Sequence, residues 1–327
     1  MNIATRAARR LLSIRLWALA IVAGASSLAA AQDFPAKPVE LTVLFPAGSS
    51  ADVVARVLAE GMSRQLGQPV TVVNRPGAGG AIGYKHVQAQ KPDGYAMVFN
   101  SNSISTVHYS GLTPFDYKAF DPVARVTVEL PVIAVKGDAP WNSLKDLTEY
   151  ARKNPGALKV GNSGIGSHTH ITGVGFFNDQ GVEVNHVPFG AAQVVTSLVG
   201  GHIDAIVQLP GALAPLVRAG NLKVVGVLAS QREPAFPNVP TAIEQGMKFQ
   251  ADMWRGIAVP RGTPRPVVAK LEQAVRAAVS TPEFKAQGEK LGFAPAFQPA
   301  TDFGPTIAAD DQLLSRAMEK AGLKKSQ

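Results

Sequence analysis

The chain has 327 residues, a formal net charge of +8 and a hydrophobic content of 46%. It contains no cysteine, and this excludes disulfide bonds, cysteine-ligated zinc and thiol nucleophiles. The length is enough for about two domains that each bury a hydrophobic core.

The first segment, residues 1–31, has the organisation of a secretory signal peptide. Four arginines precede an apolar run over residues 16–28, which ends in the small residues 29–31 as a cleavage site. The run is shorter than the ~20 residues that a bilayer crossing needs. We therefore predict export to the periplasm. Without this segment the chain has 28 basic and 24 acidic residues, a net charge of +4, and their scatter argues against nucleic-acid binding.

From residue 41 onward, short β-like runs alternate with helical stretches, which is typical of a sheet covered by helices on both faces. In the first series we predict strands at 41–45, 70–73 and 95–99, and helices at 52–66 and 82–90. In the second series we predict strands at 131–135, 158–160, 185–188, 203–208 and 222–228, and helices at 144–153, 168–178, 192–199 and 212–219. A strand at 253–259 and helices at 266–280 and 282–291 follow.

The two series predict two α/β lobes with a ligand cleft between them. A lobe of this kind usually needs about 100–150 residues, so the chain is expected to cross near 124–135 and to return near 250–260. The predicted first lobe is discontinuous and comprises residues 32–130 and 254–327. The predicted second lobe comprises residues 131–253.

Two segments share one layout, in which a strand leads through a small polar loop into a helix. The first loop contains Ala47, Gly48, Ser49 and Asp52, and the second, residues 161–168, contains Ser163, Gly166, Ser167 and His168. Glycine permits close backbone approach, serine supplies a hydroxyl, and the first turn of a helix attracts anions. The pair predicts a carboxylate site between the lobes. The alternative is that Ser49 and Ser167 only cap their helices.

Three further residues are candidates for the cleft. Asn100 and Ser101 follow the third predicted strand at its carboxyl end, where open α/β sheets bind ligands. Phe189 follows a strand-like run and is a candidate for an apolar wall. We expect the aromatic residue Trp254 to lie in the core instead.

Sequence patterns of several enzyme classes are incomplete in this chain. The dinucleotide pattern G-x-G-x-x-G meets Ile82 when it is counted from Gly77, and no Gly-Lys-Ser/Thr occurs. Gly161 to Ile165 matches the nucleophile pattern G-x-S-x-G except at its last position. The histidines at 168 and 170 lack the spacing of H-E-x-x-H. We predict no metal, no cofactor and no catalytic residue.

Six motifs occur in order along the mature sequence: residues 45–48 with Asp52, 74–80, 92–95, 166–167 with His170, 186–189, and 237–241. Together they resemble the Bug-type family, the extracytoplasmic receptors of tripartite tricarboxylate transporters. The resemblance implies a two-lobed type II periplasmic-binding-protein fold and a small carboxylate as ligand, from citrate-like acids to aromatic acids. It implies a large and a small membrane subunit as partners, or a sensor in members without a transporter.

The sequence departs from the family pattern at both ends of the expected cleft. Ala47 and Ser49 replace a usual proline and glycine, and Phe189-Gly190-Ala191 replaces a usual Tyr-Lys-Gly. The far end of the ligand therefore loses polar partners, which favours an apolar or aromatic acid. We predict a monomeric periplasmic binding protein for carboxylate uptake. The alternatives are a sensing receptor and a secreted hydrolase with Ser163 as nucleophile.

Overall fold

Strands and helices alternate in the computed structural model, which describes residues 34–320 and 322–325. The predicted signal peptide, residues 1–31, lies outside the described residues. The strands are β1 (Val39–Val43), β2 (Val70–Asn74), β3 (Ala96–Ser101), β4 (Phe120–Glu129), β5 (Val132–Lys136), β6 (Lys159–Asn162), β7 (Asn185–Pro188), β8 (Ala205–Gln208), β9 (Leu222–Val227), β10 (Met253–Pro260) and β11 (Ala294–Pro299).

The helices cover the faces of the sheets, as the alternating sequence pattern predicts. They are α1 (Ser50–Leu66), α2 (Ala81–Gln88), α3 (Ser103–Tyr109), α4 (Leu144–Lys153), α5 (His168–Asp179), α6 (Ala191–Val199), α7 (Pro210–Arg218), α8 (Arg265–Val279), α9 (Pro282–Leu291) and α10 (Ala300–Lys320). None of the described helices combines the length and the apolar character that a membrane crossing requires.

The strands form two separate sheets, and each sheet is the centre of one lobe. The first has the order β11-β4-β10-β3-β1-β2, and the second has the order β7-β6-β8-β5-β9. In the first sheet β1 pairs in parallel with β2 and β3, whereas β10 is antiparallel to β3 and β4. In the second, β6 pairs in parallel with β7 and β8. This two-lobed α/β architecture confirms the predicted fold class.

The chain passes between the sheets twice. The first passage separates β4 from β5 at Leu130-Pro131, and the second runs from the end of β9 to the start of β10. We keep the predicted limits, 32–130 with 254–327 and 131–253, as our proposed division into lobes. Buried apolar side chains form two clusters in the second lobe, which include Val132 and Leu213 in one and Ile133 and Phe176 in the other.

The candidate site lies at two loops that each connect the end of a strand with the start of a helix. β1 and β6 are each followed by a polar loop and a helix, α1 and α5, so both loops lie at the carboxyl end of a parallel strand, where open α/β sheets bind ligands. α1 ends at Leu66, and its C-cap Gly67 has a φ of 66°, the left-handed conformation that glycine adopts without steric cost.

Four elements have no counterpart among the predicted ones: α3, β4, β11 and α10. β3 is also longer than predicted, since it includes Asn100 and Ser101. The extension follows from strand pairing, because Gly256 and Arg255 of β10 pair with these two residues.

Candidate functional site

The loop between β1 and α1 is held by hydrogen bonds within its own turn. Ser49 is the N-cap of α1, and its Oγ accepts from Asp52 N at 3.3 Å, while Gly48 N donates to Asp52 Oδ2 at 3.0 Å. This reciprocal pair resembles a capping box, with the second bond shifted to the residue before the cap. It leaves the N–H groups of Ser50 and Ala51 without partners inside the helix.

Asp52 is fully engaged by protein groups. Its Oδ1 accepts from Asn74 Nδ2 at 2.9 Å and pairs with Arg56 Nη2 at 2.8 Å. Burial alone would raise the pKa of Asp52, but the hydrogen bonds from Arg56, Gly48 and Asn74 together hold it below its ordinary value. Its observed contacts therefore fix the shape of the loop, and direct contact with a ligand stays a prediction.

The loop between β6 and α5 is built in the same way. Ser167 is the N-cap of α5, and its Oγ accepts from His170 N at 3.2 Å. Ser163 N donates to Thr169 Oγ1 at 3.0 Å, and Ser163 Oγ accepts from Gln208 Nε2 at 3.1 Å. The cap and these bonds fix the loop at the amino end of α5.

These two loops face one small cavity between the lobes. The first lobe contributes Phe45 and residues 49–51, and the second contributes Ser163 and residues 167–169. Gln208 and Leu209 bring a third helix start, that of α7, to the same cavity. Helix starts carry about half a positive charge each, so their convergence favours an anion.

A buried ion pair that sequence reasoning missed lies beside the inner cavity. Arg255 of β10 lines the cavity, and its Nε donates to Glu129 Oε2. Ser50 Oγ donates to the other oxygen of Glu129. Arg255 is a charged residue inside the otherwise apolar strand β10, and Gln208 is a polar residue at the carboxyl end of the apolar strand β8. These positions are the signal that could have identified them.

A second, outer cavity of about 830 Å³ continues from the inner one through the shared residues Phe45 and Ser163. Its walls come from the turn at residues 76–80, from residues 188–190 and from Ile165, whose side chain is 61% exposed. Phe189 therefore lines the outer cavity, and its contact with a ligand stays a prediction. Most of this wall is apolar, and its few polar members include Gln193 and the charged residue Lys325.

Several predicted site residues do not line either cavity. Ala47 and Gly48 are exposed on the outside of the first loop. Asn100 and Ser101 are buried, and Asn100 Oδ1 accepts from Tyr84 Oη at 2.8 Å. Gly166 contacts the first lobe, since Thr106 Oγ1 donates to its carbonyl oxygen. The cavities thus contain Ser49, Ser163, Ser167, His168 and Phe189.

Trp254, expected in the core, is 6% exposed, and its Nε1 donates to Asp310 Oδ2 at 2.9 Å. Among the described residues no group of three His, Cys, Asp or Glu side chains is arranged to hold a metal ion.

His168 is expected to stay neutral well below neutral pH. Burial, followed by the charge of Arg255, lowers the pKa of His168 to about 4. An unfolded chain protonates histidine near pH ~6.5, so the stability that neutral His168 contributes is present above that pH and is lost as the pH falls towards 4. The NMR titration of this imidazole should give a midpoint below pH ~5.

A His168→Gln variant isolates this contribution. His186, with a pKa of about 4, also loses its contribution to stability as the pH falls. Glu233, whose pKa is raised to about 7 by burial, instead stabilises the folded protein as the pH falls. The melting temperature of the variant should fall less between pH ~7 and ~5 than that of the wild type. Equal falls in the two proteins would contradict the assignment.

Known proteins share both the sequence and this architecture. The family of tripartite tricarboxylate transporter receptors matches residues 54–323. A UPF0065 protein of Bordetella pertussis is 37% identical over 275 residues, which cover 83% of this chain and 84% of that protein.

Two solved structures have the same fold. The periplasmic binding protein BugD is 32% identical with a TM-score of 0.85, covering 90% of this chain and 100% of BugD. Rpa4515 of R. palustris, solved with adipate, is 27% identical with a TM-score of 0.85, covering 89% of this chain and 99% of that one. The chain therefore belongs to the tripartite tricarboxylate transporter receptor family, a family of solute-binding receptors and not of enzymes.

Proposed function

We propose that the protein binds a small carboxylate with an apolar body in its cleft and delivers it to the membrane subunits of a tripartite tricarboxylate-type transporter. The observation that carries the proposal is the convergence of three helix starts and Arg255 on one inner cavity. A carboxylate there would accept hydrogen bonds from backbone N–H groups and serine hydroxyls.

The outer cavity supports the second part of the proposal, the apolar body. A ligand held by its carboxylate at Ser163 extends towards Phe189, Pro76 and Ile165, which offer no charge, whereas Lys325 gives the same wall a charged group. Its apolar atoms gain about 25 cal/mol for each Å² removed from water. The adipate complex of Rpa4515 supports a carboxylate with a chain of methylene groups, and adipate also carries a second carboxylate at its far end.

The compartment and partners form part of the same proposal. The arginine-rich start and apolar run of residues 1–31 support export to the periplasm. Known periplasmic binding proteins such as BugD share the fold. We propose that the exported protein acts as a monomer that docks on membrane subunits when the cleft is closed.

Thermal unfolding against a panel of acids tests the binding step. Hexanoate, benzoate and adipate should stabilise the protein, by about 2.7 kcal/mol at 100 times the dissociation constant. The matched amides, hexanamide and benzamide, should not, because they lack the charge that the helix starts recognise. Stabilisation by none of the acids, or equally by the amides, would overturn the proposed function.

The transport step needs a separate experiment in the host. Deleting the gene should reduce uptake of the radiolabelled acid that binds best, and restoring the gene should restore uptake. Unchanged uptake by the deletion strain, together with tight binding in vitro, would instead support a sensing receptor.

A further inference from the structure

Another cavity, of about 590 Å³, lies outside the carboxylate cleft. It is bounded in the first lobe by α10 and Asn102 and in the second lobe by α5 and residues 249–252. His168 lines both this cavity and the inner cleft. We call it the hinge-side cavity, because the chain enters β10 along its wall. Its size falls in the range of ~300–1,000 Å³ that small ligands occupy.

One end of the hinge-side cavity carries a buried amide side chain. Asn102 is 1% exposed and donates through Nδ2 to the carbonyl oxygen of Asp252 at 3.1 Å, but its Oδ1 has no hydrogen-bond partner. Through this hydrogen bond Asn102 links the two lobes at that end of the cavity.

Two carboxylates line the same cavity. Asp310 accepts from Trp254 Nε1, and Asp252 lies before β10. Burial raises the pKa of Asp310, hydrogen bonds from Trp254 and Asn102 oppose that rise, and the charges of Asp311 and Asp252 add to it. Among the described residues of the wall, Arg125 carries the one guanidinium, and its Nε donates to the carbonyl oxygen of Ala296 at 2.8 Å. Two carboxylates and one guanidinium give the described wall of the cavity a net negative charge.

The remaining walls are apolar and aromatic. They include Ile171, Phe249, Leu313 and Leu314 together with the ring of Trp254. Leu313 is 59% exposed although it is a large apolar residue. Aromatic faces attract ammonium groups, and aliphatic walls bury the carbon atoms attached to them.

We propose that the hinge-side cavity binds a small organic cation, an ammonium group on an apolar body. The ammonium group faces the carboxylates of Asp310 and Asp252, while the apolar body packs on Phe249, Leu313 and the ring of Trp254. A bare metal ion fits less well, because the described residues hold no group of three metal-ligating side chains and the walls are apolar. An occupant contacts both lobes, and the site does not depend on the carboxylate function.

Titration of the whole purified protein with benzylammonium tests the proposal by calorimetry and saturation-transfer NMR. The expected result is saturable binding of one equivalent, with binding of the neutral isostere benzyl alcohol at least tenfold weaker. Benzoate, which should enter the other cleft, should not displace benzylammonium. Equal binding of benzyl alcohol, displacement by benzoate, or the absence of saturable binding would overturn the proposal.

Variants locate the probe within the protein. Asp310→Asn and Asp252→Asn should each weaken benzylammonium binding at least tenfold, because each removes one negative charge without changing the size of the side chain. Asp302→Asn provides the matched control, since Asp302 lies on the same helix as Asp310 but is exposed and outside the cavity. Asp252 is itself exposed, so its variant should fold even if Asp310→Asn does not. Wild-type affinity in Asp252→Asn would contradict the site.

Discussion

Replacing Glu129 by glutamine should lower the free energy of unfolding by about 3–5 kcal/mol, measured by chemical denaturation. The substitution removes the counter-charge of Arg255, whose side chain is 3% exposed. A buried charge without its partner is costly because neither water nor an opposite charge stabilises it. The effect should be large for a single substitution, since most change stability by about 0.5–3 kcal/mol.

Two further variants separate this explanation from a general effect of losing a carboxylate. Glu60→Gln breaks the exposed pair with Arg64, in which the side chains are 75% and 54% exposed, and should cost less than about 1 kcal/mol. The double variant Glu129→Gln with Arg255→Met should recover much of the lost stability, since it removes both buried charges. A Glu129→Gln protein as stable as the wild type would show that the pair is not required.

The double variant also tests the contribution of Arg255 to the cleft. Its stability should recover, but its affinity for carboxylates should not, because the guanidinium that lines the inner cavity is gone. Recovery of both properties would assign Arg255 a purely structural role.

The local sequence predicts most of the fold, because the spacing of its apolar residues matches the pattern of residues that are buried in the structure. α4, α9 and β7 begin and end where the sequence predicts. α3 escapes prediction because serine and β-branched residues dominate it, and these are weak helix formers. Its helical state depends on packing between the turn at residues 78–80 and α10.

β4 and α10 escape prediction for a related reason, since each contains residues that normally interrupt an element. β4 includes Pro122, and α10 includes Gly304 and Pro305. In β4 the pairing with β10 on one side and β11 on the other supplies the hydrogen bonds that define the strand. Such pairing partners are more than one hundred residues away and leave no local pattern.

In the candidate site, too, the residues with a local sequence pattern are predicted and those contributed by distant strands are not. Ser49 and Ser167 are identified by their local layout as strand, loop and helix, and the structure brings them to one cavity. Gln208 and Arg255 reach that cavity from other strands, so no spacing in the sequence connects them with the loops. Asn100 and Ser101 are expected in the cleft, but pairing with β10 includes them in β3 instead.

Replacing Gly79 by alanine should weaken carboxylate binding at least tenfold, which corresponds to about 1.4 kcal/mol. Gly79 lies in the turn after β2, in the first lobe, and has a φ of 66°. A Cβ atom there would lie 2.8 Å from the carbonyl oxygen of Ile165 and 3.2 Å from Ser167 N, both in the loop of the second lobe. These are backbone atoms that cannot rotate away, so the turn at residues 76–80 must move away from the loop at residues 161–168.

Gly67→Ala is a close control for this experiment, because Gly67 also has a φ of 66° but no atom lies within 4 Å of the position that a Cβ would take there. Both substitutions should therefore cost about 1–2 kcal/mol of stability through the left-handed backbone conformation. Only Gly79→Ala also separates the lobes, so calorimetric titration with the best-binding acid should show weaker affinity in that variant alone. Because the carboxylate needs donors from the β1–α1 and β6–α5 loops at once, equal affinities in the two variants would mean that the liganded protein does not require the contact of Gly79 with the second lobe.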